Sequence, residues 1–237
     1  VPRSSLRAGG DLINPTHENP QDTRLRDALR AGSSSTRLEA ALAIGTRADP
    51  AFVDALVARC AIEPDFFVRD MLTWALTRFP AETTVPRLLQ ELRSERAQAR
   101  SQALHTLSKI GDRGAWPAIT RSLLHDADDE VARSAWRAAV VLVPEGENRE
   151  LAEDLAAQLG RGDRDLQRSL SRALVALGDV SEPALRTGLA SDDPAVRAHA
   201  RATEILLRDP DADFDAAVDE AKRIVALGPE TAKGTRC

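Results

Sequence analysis

The residues able to do chemistry are few and scattered. Four histidines (His17, His105, His125 and His199) and two cysteines (Cys60 and Cys237) fall in separate parts of the chain. A metal centre needs ligands that converge at fixed spacing, and no His-x-x-Glu-His or paired-Cys pattern is present. Cys60 lies in the apolar stretch FVDALVARC and reads as a buried small hydrophobe; Cys237 ends the chain and reads as exposed. No G-x-S-x-G, Walker A or G-x-G-x-x-G motif occurs, and the carboxylates are too numerous for a catalytic pair to stand out. No catalytic residue, metal ligand or cofactor contact is therefore nominated. The groups on offer suit recognition instead: Trp74 and Trp136, and the arginines Arg133, Arg137, Arg168 and Arg172.

Helices must position these groups, and the stretch Gln98 to Asp126 shows how. Ala99, Ala103, Thr106, Leu107 and Ile110 recur at spacings of three and four, which makes one helical face. Gly111 can take the left-handed conformation that closes a helix, and Asp112 can accept hydrogen bonds at the start of the next element. A second helix is expected from about Trp116 and Pro117, burying Ile119 and Leu123. A helix pair this short cannot bury both apolar faces alone, so it needs stacked copies.

The copies are present. With Ala99 as anchor, equivalent places are Thr36, Val68, Val131, Leu166 and Val196, separated by steps of 32, 31, 32, 35 and 30 residues. Four places on stand Ala40, Leu72, Ala103, Ala135, Leu170 and Ala200; seven places on stand Ala43, Ala75, Thr106, Ala138, Ala173 and Thr203. Both sets lie within about 40° of the anchor on a helix and form one seam of small or apolar side chains. Asp128, Asp163 and Asp193 precede later first helices as N-cap candidates, and Gly178-Asp179 repeats the Gly111-Asp112 stop. Pro86, Pro117 and Pro183 are placed at the starts of second helices.

The expectation is an all-α chain, a right-handed α-solenoid of about six antiparallel helix pairs. Its units run over about 33–62, 63–94, 95–126, 127–160, 161–191 and 192–227, behind a capping helix at 22–31. Residues 1–20 read as a flexible arm whose opening VPRS resembles a protease-site tag, and 228–237 as a disordered tail.

Composition agrees. The 237 residues are 43% hydrophobic but only 3% aromatic, with no tyrosine, which suits close-packed helices and not a β fold. The formal net charge of -5, with fourteen acids against eight bases between 127 and 193, sets nucleic acid aside as the expected partner. The preference for arginine over lysine reads as coding bias of a GC-rich genome. No apolar run approaches a membrane span, and a cytoplasmic protein is the default expectation.

The pattern of anchor, arginine, small residues, Gly-Asp stop and second helix resembles the HEAT-like repeat family, in the short form of phycobilisome lyases and bacterial HEAT-repeat proteins. The resemblance covers about residues 33–227, with Arg37, Arg69, Arg100 and Arg197 after their anchors, and departs from the family at Ala132 and Gln167. It implies the solenoid, with second helices lining a concave ligand-facing surface and first helices the convex one. Iron-binding relatives use repeated His-Glu pairs, matched here only by His17-Glu18 in the arm.

Three functions follow. The leading one is a non-catalytic scaffold or adaptor whose concave second helices accept a protein partner. An alkylpurine DNA glycosylase-type protein is the alternative, and a tetrapyrrole lyase or chaperone a further one. Candidate contacts on second helices are Arg87, Gln90, Arg121, Ser122 and His125. On the outward columns of first helices they are Arg133, Arg137, Arg168 and Arg172, with Trp74 and Trp136 on the exposed arc. The arginines following the anchors are expected to be structural, each bridging to an acid or carbonyl nearby.

Overall fold

A computed structural model of the chain describes residues 19–209 and 211–227. The arm up to residue 18, with His17-Glu18, and the tail from residue 228 lie outside the described residues. Thirteen α-helices occur among the described residues, and no strand. They are α1 (Pro20–Ala28), α2 (Ser34–Arg47), α3 (Val53–Cys60), α4 (Phe66–Thr77), α5 (Ala81–Glu91), α6 (Ala97–Ile110) and α7 (Arg121–Leu124). There follow α8 (Asp129–Leu142), α9 (Asn148–Ala156), α10 (Arg164–Leu177), α11 (Glu182–Leu189), α12 (Pro194–Arg208) and α13 (Phe214–Leu227). First helices α2, α4, α6, α8, α10 and α12 stack on one another, and the second helices α3, α5, α7, α9 and α11 each pack against the first helix that follows. The chain is an all-α solenoid of helix pairs.

Five of the six first helices start where a side chain takes up an orphan N–H, and α6, which follows Arg96, starts without one. Ser33, Asp65, Asp128, Asp163 and Asp193 accept from the first turns of α2, α4, α8, α10 and α12. Gly111 closes α6 at φ 72°, a left-handed position where a Cβ would be strained. The seam is buried from unit to unit, through Leu72, Ala75, Ala103, Leu107, Ala135, Ala138, Leu170 and Ala173. In the first unit Thr36 and Ala43 are exposed instead, because no earlier repeat packs on them. Helices α2 and α4 approach so closely that a Cβ on Gly45 would lie 2.6 Å from the Trp74 ring and 2.8 Å from the Ala75 Cα.

The arginine ladder ties the repeats together. Arg37, Arg69 and Arg100 each donate from Nη1 to the carbonyls five and six residues back: Ala31 and Gly32, Glu63 and Pro64, Ser94 and Glu95. Arg197 reaches Ser191 O at 2.7 Å. These loop carbonyls would otherwise lose water without a partner, and a charged donor is the stronger kind of replacement.

Three expectations are corrected. Trp136 is not on an exposed arc: it is fully buried, and its Nε1 donates to Leu124 O at 2.8 Å. A first helix packs on neighbouring first helices as well as on second helices, so its buried arc is wider than one amphipathic stripe. The same fifth place is buried at Ala41, Thr73, Leu104 and Ser171. The second helix of the third unit is a 3-10 turn, Arg113–Ala118, followed by the single turn of α7. Pro117 lacks the N–H a continuous helix needs, and the chain leaves helical geometry at Ile119 and Thr120. Pro86 does not begin its helix but sits inside α5, which starts five residues earlier at Ala81.

The last pair also departs from its neighbours. Helix α13 seats Phe214, Ala217 and Val218 against Ala202, Leu206 and Ile205 of α12 and Val175 of α10, a small core apart from the main one. Those residues of α10 and α12 point away from the anchor seam, so α13 lies on the outer side of the first helices.

Candidate functional site

Of the second-helix candidates, Arg87, Arg121 and His125 are held by neighbours in the adjoining units, and Gln90 and Ser122 bond within their own. Arg87 on α5 donates to Asp54 of α3 at 2.8 Å and to Glu91 at 2.8 Å, with Gln90 at 3.2 Å. Arg121 on α7 meets Asp154 of α9 at 2.9 Å. His125 Nδ1 lies 2.7 Å from Gln158 Nε2, and Ser122 is hydrogen-bonded to Thr120 at 2.8 Å. The pairs 54–87, 121–154 and 125–158 are each one repeat apart, and so these side chains form rungs between second helices. The more exposed of these pairs contribute about 0–1 kcal/mol each.

The first-helix face is different. At the sixth place after the anchor, successive helices carry Leu42, Trp74, His105, Arg137 and Arg172, and the column ends at Ala202 beneath α13. It is apolar at one end and cationic at the other. Leu42 is exposed; Trp74 is 38% exposed, one side of its ring against Gly45 and Arg78 stacked over it at 6.0 Å. Phe66 and Phe67, at the start of α4, are 66% and 71% exposed with their rings edge to face. Sequence reading missed this pair because it precedes the anchor column; two adjacent phenylalanines directly after an N-cap Asp were the available signal.

Of the four outward arginines, Arg168 is answered by Asp165 at 2.9 Å and by Asp215 of α13 at 2.7 Å. Arg133 has only Glu130 at 3.4 Å, and its Nε is buried without an acceptor. Arg137 and Arg172 have no acid within ion-pair distance among the described residues. Partial burial, then the charge of Arg133, lowers the pKa of Arg137 below the usual arginine value, and Arg172 adds to the effect. His105 is likewise lowered, first by burial and then by Lys109 and Arg137. Between α4, α6 and α8 the face holds a cleft of about 320 Å³, floored by Ser101 and His105 and walled by Phe66 and Arg137.

Two buried polar clusters lie beneath these faces. Glu63, fully buried, accepts from Arg37 Nε and Nη2, Arg59 Nε and the Asp65 N–H, at 2.7–2.9 Å. Burial alone would raise its pKa; the donors from Arg37 and Arg59 outweigh burial and hold it at about 2. His199 accepts from the Gly160 N–H at Nδ1, so its proton sits on Nε2, facing Gln167 O and Ser171 Oγ. A ring protonated there cannot take the serine proton, and both side chains are buried, so the pair is structural. Cys60 is buried, and burial pushes its thiol up to about 12. Among the described residues no group of three or more His, Cys, Asp or Glu is placed to hold a metal ion. No described helix is long and apolar enough to cross a membrane.

Stacked helix pairs with a buried seam and a capping arginine ladder define an α-solenoid repeat protein. Within it, residues 63–140 match the family model described as HEAT repeats. No curated protein matches the chain by sequence. Human deoxyhypusine hydroxylase, solved with glycerol, is similar over 87% of this chain and 95% of its own, with 16% identity and a TM-score of 0.44. The CpcE–CpcF complex of phycocyanin lyase from Nostoc sp. PCC7120 is similar over 93% and 99%, with 19% identity and a TM-score of 0.35. At these values neither carries a function to this chain.

Proposed function

We propose that this protein is a non-catalytic scaffold that binds a protein partner, and that the partner lies on the first-helix face. The observation that carries the reading is the outward column Leu42, Trp74, His105, Arg137 and Arg172, flanked by Phe66 and Phe67. Exposed aromatic side chains beside unanswered arginines are the composition of an interface core. The second-helix face, where the family resemblance sets the ligand, is the weaker candidate, since Arg87, Arg121 and His125 already have partners in adjoining repeats. A polyanion is disfavoured by Glu130, Asp165 and Asp215, which stand among the outward arginines.

Charge reversal on each face tests this. Arg137→Glu with Arg172→Glu should abolish co-purification of a stoichiometric partner, whereas Arg87→Glu with Arg121→Glu should leave it intact. The opposite pattern overturns the choice of face, and a purified catalytic activity without any partner overturns the scaffold.

A further inference from the structure

Helix α13 shows what the outer face of the first helices accepts. It lies across α10 and α12 as an acidic amphipathic helix, with Phe214, Ala217 and Val218 turned to the apolar side. Its Asp215 meets Arg164 at 3.5 Å and Arg168 at 2.7 Å, and Asp219 also pairs with Arg164. The arginine that receives it, Arg168, stands at the second place after the anchor Leu166. One repeat earlier Arg133 stands at the same place after Val131, with its Nε buried and no acceptor. At the sixth place the two helices carry Arg137 and Arg172, both exposed and without an acid partner among the described residues. Beside them Val141 is 46% exposed. The seat next to α13 thus shares part of the chemistry of the occupied one: arginines at the second and sixth places with an apolar strip beside them, while the place of Arg164 is taken by Asp129, already paired with Arg161, and Glu130 stands near Arg133.

We propose that the surface over α8 and α10, built on Arg133, Arg137 and Arg172, binds an acidic amphipathic helix of a protein partner, laid beside α13. This rests on the reading of the first-helix face as the partner surface and specifies the partner's chemistry. Acidic side chains one turn apart would answer Arg137 and Arg172, and small apolar residues between them would cover Val141. The seat is continuous with an interface the chain already makes to itself, since α13 forms its edge: a cleft of about 330 Å³ between them is lined by Arg168, Arg172, Val175 and Phe214.

The α13 sequence supplied in trans is the probe. A dye-labelled peptide of residues 211–227 is titrated with the full chain and followed by fluorescence anisotropy. Saturable binding is expected that weakens as salt rises. It should fall at least tenfold in the Arg137→Glu, Arg172→Glu variant, whose thermal melt should match the parent, and stay unchanged in Arg186→Glu on a second helix. Absence of saturable binding at low salt overturns the proposal. So does binding that responds to Arg164→Ala but not to the double reversal, which marks exchange with α13, or equally tight binding of a DNA duplex, which marks a polyanion site. If the peptide fails while the double reversal still loses the natural partner, the scaffold reading stands and only the acidic helix falls.

Discussion

Arg161 donates through Nη2 to the main-chain carbonyl of Asp126 at 2.6 Å. That carbonyl lies six residues before Ala132, the place from which Arg37, Arg69, Arg100 and Arg197 draw their own carbonyl partners. The fourth repeat lacks the ladder arginine, and the loop after its second helix supplies one from the other direction. Arg161→Met should therefore behave like loss of a ladder rung. A stability loss of about 1.5–3 kcal/mol in urea unfolding is expected, with an unchanged m-value. A change below about 0.5 kcal/mol would mean that water serves Asp126 as well.

Glu63 joins three repeats, since its carboxylate holds Arg37 and Arg59 while its carbonyl takes Arg69 and Gln98 Nε2. Removing one member of such a buried pair leaves an uncompensated charge, so Glu63→Ala should cost about 3–5 kcal/mol. The folded carboxyl is depressed from 4.5 to about 2. Its contribution is complete above the unfolded value and is lost as pH falls from about 4.5 towards 2. Glu63→Gln should flatten the pH dependence of stability in that window.

His199 acts at higher pH. Burial holds the folded ring at about 4 against an ordinary 6.5. The unfolded chain therefore takes up a proton first, and the stability present above 6.5 is lost as pH falls towards 4. Urea midpoints measured across that range should decline in the parent, and decline less in His199→Gln.

Leu107 occupies the seam of the third repeat and is 1% exposed. Leu107→Ala should cost about 2–5 kcal/mol, as cavity-forming changes in cores do. A loss under about 1 kcal/mol would contradict the register of the whole array.

The repeat was legible because stacking forces small and apolar residues to return at fixed places: Ala103, Ala135 and Ala200 had to be small wherever they fell. Asp128, Asp163 and Asp193 announced helix starts for an equally local reason. Trp136 was misplaced because periodicity within one helix does not tell how many helices will surround it. The seat of α13 was written in the last repeat, where Ala198 and Ala202 replace the arginines at 133, 137, 168 and 172, but reading it required comparing outward columns and not only the seam. The pairing of Arg87 with Asp54, or of Arg121 with Asp154, depends on how second helices sit side by side, which spacing along the chain does not fix.

The direct test of the account is where a partner touches. A photo-crosslinking amino acid placed at Trp74, and separately at Ser122 on the second-helix side, should be activated in the native host. The account predicts one defined adduct from position 74, lost when Arg137 and Arg172 are reversed to Glu, and none from position 122. An adduct that forms from position 122 and ignores that reversal would contradict it.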